Sequence, residues 1–189
     1  MTPVGMLMFP HLYQPRPVVQ GGEPRYSMTL LFDEEAQKRA EYRELKKLVA
    51  DAIDEKFGAG KARDAEWQKR MKFRTPFRDA GEKDKYTGFI PGHIFIAPWS
   101  KTKPDVVDGR APKPQIITVP ADVWAGQLAR AYVSAFAYQQ SGNTGASFML
   151  DMVQITKANM PRMDGRMKAE DAFPPVEGEL VDSDSDIPF

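Results

Sequence analysis

The stretch Leu128-Ala-Arg-Ala-Tyr-Val-Ser-Ala-Phe-Ala-Tyr138 alternates without interruption. Ala129, Ala131, Val133, Ala135 and Ala137 fall on one side. Leu128, Arg130, Tyr132, Ser134, Phe136 and Tyr138 fall on the other. Successive side chains of a strand point to opposite faces, so this period of two reads as a β-strand. An alanine-rich helix is the competing reading. The sustained split, followed by the turn-forming Ser141-Gly-Asn-Thr-Gly145, favours a hairpin with a second strand over 147–157. One question stays open within the hairpin. Tyr132 and Phe136 either fill the interior or lie outside, with the alanines packed beneath a helix.

The segments before the hairpin supply its partners. Residues 4–9 form a short apolar strand, and 10–24, rich in Pro and Gly, read as a loop. Residues 25–32 alternate, with Tyr26, Met28, Leu30 and Phe32 on one face and Arg25, Ser27 and Thr29 on the other. Asp33 is suited to cap a helix whose first turn carries Glu34 and Glu35. Leu45, Leu48, Val49, Ala52 and Ile53 recur at helical spacing, and Gly58 and Gly60 end that helix. A weaker basic helical segment with Trp67 spans 61–72. Short extended pieces are expected at 73–77, 89–99 and 115–119, separated by a polar turn at 78–85 and a basic loop at 100–114. The expected class is mainly β with helical insertions (α+β). Short strands, one long helix and glycine turns point to a small OB-like β-barrel.

The 189 residues fit one domain with appendages, and a hydrophobic fraction of 42% is enough for a core. No internal repeat is visible. The formal net charge of zero conceals an asymmetry. Seven acids lie from Glu170 onward with no Lys or Arg, leaving residues 1–169 with 26 cations against 19 acids, a formal +7. A basic body with an acidic tail suits a nucleic-acid binder that regulates itself. The expected division is a binding domain over 1–160 and a flexible acidic tail over 161–189. There is no Cys, which removes disulfides, thiolate metal sites and Cys nucleophiles and fits a reducing compartment. No stretch is long and apolar enough to cross a membrane as a helix, and residues 1–15 lack the basic leader of a signal peptide.

Gripping unpaired nucleic acid takes cations along the phosphates and rings against the bases. Both occur together here. Lys72, Arg74 and Arg78 flank Phe73 and Phe77; Trp99 lies beside Lys101 and Lys103; Arg130 shares a strand face with Tyr132, Phe136 and Tyr138; Arg25 opens its own strand. Phe73, Phe77 and Phe95 read as core. Trp99, at a strand end next to Ser100-Lys-Thr-Lys-Pro104, reads as a stacking ring. Catalytic signals are poor. His11 and His93 are far apart, and no phosphate-cradling glycine loop is present, Gly58-Ala-Gly-Lys61 being too short. No metal or cofactor is expected. Asp79, Glu82 and Asp84 cluster, but interleaved Lys83 and Lys85 make them a solvated turn.

The chain ends Asp182-Ser-Asp-Ser-Asp-Ile-Pro-Phe189. Asp182, Asp184 and Asp186 can imitate phosphates and compete for a basic groove. Ile187, Pro188 and Phe189 can enter a small apolar pocket on a partner protein, with the terminal carboxylate held by a cation. This ending resembles the acidic tip of bacterial single-stranded DNA-binding proteins. The body resembles a family of bacteriophage single-stranded DNA-binding proteins. The likeness rests on Arg25-Tyr-Ser-Met-Thr-Leu-Leu-Phe32 before a helix, Pro76-Phe-Arg-Asp79 with Tyr86-Thr-Gly88, and Trp124-Ala-Gly126. It continues through residues 130–138, Gly142-Asn-Thr-Gly145 up to Val153-Gln154, and Asp171-Ala-Phe173. The order of these pieces is more specific than any one of them. The family usually has Tyr where this chain has Trp124. The resemblance implies an OB-type fold that coats single strands during phage replication, recombination and repair, in the cytoplasm of the infected bacterium.

The expected function is therefore non-catalytic, largely sequence-independent binding of single-stranded DNA, with weaker duplex binding allowed. The tail would contact replication or recombination proteins. A strand-annealing mediator would need the same features. Rivals from other classes are a metal-dependent nuclease built on Asp79, Glu82 and Asp84, and a phage structural or regulatory protein without a nucleic-acid role.

Overall fold

A computed structural model describes residues 1–17, 20–110, 112–140, 142–157 and 160–163. The acidic tail with its Ile187-Pro188-Phe189 tip lies outside the described residues. The architecture is mainly β with few helices.

Strand β1 (Gly5–Pro17) pairs antiparallel with β2 (Pro24–Phe32). The extended chain runs through Pro10, in place of the loop expected from that residue. The β1–β2 register shifts between Met8 and His11, and Phe9 adopts φ 48° there. A bulge already interrupts the ladder at this point, so the missing proline N–H breaks no regular bond. Gly5 is required by close approach: a Cβ there would lie 2.7 Å from the Leu31 carbonyl oxygen and 2.8 Å from the Phe32 ring.

The helix after Asp33 is in fact two. The Asp33 carboxylate accepts from the Ala36 N–H at 2.7 Å and starts α1 (Glu34–Lys38). Arg39 then takes an extended conformation, and α2 (Ala40–Phe57) follows. Ala36 and Tyr42 are both buried in the main core. On a straight helix, six residues amount to about 600° of rotation and would set them on different faces. The break lets both turn inward. Leu45, Val49 and Ile53 complete the buried stripe, whereas Leu48 is turned out to solvent. The short α3 (Ala65–Arg70) buries Trp67 against Phe57 and Phe73, at ring separations of 5.0 and 5.8 Å.

The remaining strands are β3 (Arg78–Asp79), β4 (Ile94–Ile96), β5 (Trp99–Ser100), β6 (Asp105–Asp108) and β7 (Gln115–Ile116), followed by the long hairpin β8 (Leu128–Gln140) and β9 (Asn143–Lys157). Among the described residues they form one nine-stranded sheet. β1 pairs with β2 and β8, and β8 with β9. The two-residue β5 then joins β9, in parallel through Trp99 and Met149, to β2, antiparallel through Ser27 and Tyr26. The path of pairings thus returns to its start. β4 and β3 extend it from β2, and β6 and β7 from β9.

The hairpin answers the question left by its alternation. Ala129, Ala131 and Val133 lie in the main core with the buried stripe of α2, together with Phe148, Leu150, Val153 and Ile155 of β9. The aromatic side of β8 is therefore the outer one. Tyr132 is 53% exposed, and Phe136 and Tyr138 are half-buried.

Candidate nucleic-acid interface

The outer face of β8 carries a connected row of rings. Phe136 lies 6.3 Å from Tyr138 on its own strand and 5.9 Å from Trp99, which it meets edge to face at 85°. The backbone of Trp99 is fixed by its pairing with both Ser27 and Met149. Arg25 stands at the start of the same β2 strand, and its guanidinium lies 3.9 Å over the Trp99 ring. This is a short cation–π distance between two planar groups, leaving a half-exposed stack at the protein surface.

Tyr138 leads from that row into a cleft of about 560 Å³, also lined by Arg74, Thr75, Arg78, Glu82 and Ser147. The cleft exists because the segment after α3 attaches to the hairpin. Arg74 N–H donates to the Thr144 carbonyl at 2.9 Å, and Ala146 N–H donates to the Arg74 carbonyl at 3.0 Å. Only a glycine fits opposite this attachment. A Cβ on Gly145 would meet the Arg74 carbonyl oxygen and the Tyr138 hydroxyl, each at 2.7 Å. On the far wall the Arg78 guanidinium lies 5.0 Å over the buried Phe95 ring and is ion-paired with Glu82. Lys83 approaches the same ring at 4.9 Å, and Phe9 at 5.0 Å. Burial, and secondarily the Arg78 charge, lower the Lys83 pKa.

The sequence-predicted residues thus divide. Arg25, Trp99, Phe136, Tyr138, Arg74 and Arg78 form one continuous surface of rings and guanidinium groups. Lys101 reaches it through Glu23, which it contacts at 3.0 Å and which also stands 4.0 Å from Arg25. Lys72 is exposed beside Phe73, at φ 48° after α3. Lys103 lies instead over Tyr13, 5.1 Å from its ring. Tyr132 and Arg130 occur further down β8, where the Arg130 side chain donates to Gln154 at 2.6 Å. Asp79 and Glu82 are occupied, by the Gly81 N–H and by Arg78. Among the described residues no group of three His, Asp or Glu side chains could hold a metal ion.

Sequence reasoning missed Met149 and Met152, exposed at 40% and 45% on the aromatic side of the hairpin. Tyr132 pairs with Met152 but Val133 with Leu150, so Asp151 is an extra residue in β9. The signal was present: buried positions change phase from Phe148 and Leu150 to Val153 and Ile155, as a bulge demands.

No curated protein matches the sequence. Among solved structures, the single-stranded DNA-binding protein of bacteriophage Enc34 in complex with ssDNA superposes with a TM-score of 0.66 at 20% identity, covering 84% of this chain and 86% of that one. The same phage protein in a second structure gives 0.61 at 20% identity, covering 90% and 87%. The single-stranded DNA-binding protein gp2.5 of bacteriophage T7 gives 0.55 at 15% identity, covering 88% and 96%. At these identities the likeness is one of fold. The family model described as Enterobacter phage Enc34, ssDNA-binding protein matches residues 4–186. With nearly its whole length matched, the chain belongs to the Enc34 single-stranded DNA-binding protein family.

Proposed function

We propose that this protein is a non-catalytic, largely sequence-independent single-stranded DNA-binding protein of phage replication, recombination and repair, acting in the cytoplasm of the infected bacterium. The observation that carries the reading is the continuity of the Trp99–Phe136–Tyr138 row with the Arg25 stack and the Arg74–Arg78 cleft. Rings accept any base, because every base has a π face, and the guanidinium groups take the phosphates. Family membership and the likeness to an Enc34 protein complexed with ssDNA support it. The returning path of strand pairings supports an OB-type barrel for residues 1–160. Lys72, Lys101, Lys103, Arg130 and Tyr132 would extend the contact surface beyond its centre.

The acidic tail over 161–189 is proposed to compete with DNA for the cations and to offer its tip to replication or recombination proteins. Its support is the charge asymmetry and the Asp-Ile-Pro-Phe ending. The test of the binding reading is titration of oligo-dT against a duplex of matched charge at low and moderate salt. Phosphate contacts serve both ligands, whereas stacking needs unpaired bases. The single strand is expected to bind more tightly, with its advantage kept as salt rises. Equal affinity for the two would refute the stacking mechanism.

A further inference from the structure

Two guanidinium groups of this surface, Arg78 and Arg25, and the neighbouring Lys101 face anions belonging to the protein itself. In the cleft, Arg78 directs both Nε, at 3.0 Å, and Nη2 to the same Glu82 oxygen. Beside the ring row, Glu23 stands between Lys101 at 3.0 Å and Arg25 at 4.0 Å. The two carboxylates are separated by 59 positions in sequence and come from unrelated elements, the β1–β2 connection and the turn after β3. Both remain roughly half exposed, at 54% and 45% of their side-chain surface. A half-exposed ion pair is worth little and is easily exchanged. A carboxylate beside a guanidinium also has the charge of a phosphodiester oxyanion and draws on the same charge-assisted N–H donors.

We propose that Glu23 and Glu82 are placeholder anions, each occupying a site that takes a backbone phosphate when single-stranded DNA binds. This rests on the single-strand-binding reading above. In the free protein Glu82 keeps Arg78 extended into the cleft, and Glu23 keeps Arg25 over Trp99. On binding, a phosphate displaces each carboxylate toward solvent, which its exposure allows. The exchange preorganises the cations without leaving them unpaired, and it moderates affinity. The placeholders are built into the folded body and need no contribution from the acidic tail.

The test is a salt series with oligo-dT on the full-length protein, comparing wild type with Glu23→Gln, Glu82→Gln and the double variant. Glu35→Gln, which breaks an exposed pair with Lys38 on α1, is the control. Gln is isosteric and the positions are exposed, so the fold tolerates the changes. Each variant is expected to bind about two- to fivefold more tightly at low salt. The slope of log affinity against log salt should steepen by up to about 0.7 per site, because no carboxylate is left to gather a cation. The Glu82→Gln gain should vanish in an Arg78→Gln background, as a local exchange requires. If wild type binds but Glu23→Gln and Glu82→Gln match Glu35→Gln, the proposal is overturned. Weaker binding by the variants overturns it too, since the carboxylates would then only position the cations. If wild type itself ignores oligo-dT, the binding reading fails and this proposal falls with it.

Discussion

Replacing Trp99 by Ala removes one stacking platform while leaving the charges in place. The backbone at Trp99 is held by pairings on two sides, to Ser27 and to Met149, so the strand itself should persist. Two contacts of the ring are lost from the folded state. The edge-to-face pair with Phe136 is worth about 0.5–1.5 kcal/mol and the Arg25 cation–π contact about 0.5–1 kcal/mol. Together they account for about 1–2.5 kcal/mol of the stability lost, and the apolar area given up by the half-buried ring adds to it. The loss in binding is separate. One stacked base contributes about 1–3 kcal/mol, so oligo-dT affinity should fall about 5- to 150-fold. Because stacking is not ionic, the fall should be the same at every salt concentration and leave the salt slope unchanged. Arg74→Gln should behave oppositely, reducing the slope by about 0.7. Trp99→Phe, which keeps a ring against Phe136, should recover most of the loss. Fluorescence anisotropy of labelled oligo-dT reads affinity and slope together. Folded Trp99→Ala protein that binds like wild type would refute the stacking role. A drop confined to low salt would reassign Trp99 to holding Arg25.

Four further perturbations follow, two from the same geometry and two from the charge layout of the sequence. Gly145→Ala forces a Cβ against the Arg74 carbonyl and the Tyr138 hydroxyl; it should cost about 1–3 kcal/mol in a melt and weaken oligo-dT binding, and a neutral result in both would show the cleft wall to be pliable. The half-buried Lys83 has a folded pKa below its ordinary 10.5, so the unfolded chain binds the extra proton in between. The stability of wild type relative to Lys83→Met should rise as pH climbs through that lowered pKa and level off above the ordinary value. Denaturant titrations across that alkaline range check it, and a flat difference contradicts it. Deleting residues 174–189 should tighten DNA binding most at low salt, where charges are least screened, whereas removing Phe189 alone should abolish partner binding and spare DNA affinity.

Local signals made the hairpin legible. Its period of two, its glycine turn, the Asp33 cap and the α2 stripe are all written in neighbouring residues. Pairing was legible only where a turn enforced it. Nothing near Trp99-Ser100 announces that two residues will connect β2 to β9, because that closure is decided by strands remote in sequence. The same non-locality hid the site. Trp99 and Lys101 are conspicuous as neighbours, but the Arg25 stack depends on the β2–β5 register, and the cleft on the Arg74–Gly145 bridge. Arg39 and Pro10 misled for opposite reasons. A good helical residue sits in an extended break required by Ala36 and Tyr42, and a strand-breaking residue is accommodated at a bulge. Glu23 and Glu82 look like ordinary surface acids until the cations they face are brought beside them.

The claim that unpaired bases lie against the β8 face is tested most directly by photocrosslinking. Oligo-dT carrying 5-iododeoxyuridine would be irradiated on the full-length protein and the attached residues identified by mass spectrometry. Adducts are expected at Trp99, Phe136 and Tyr138. Adducts confined to other surfaces, such as the outer side of α2 around Leu48, would contradict it.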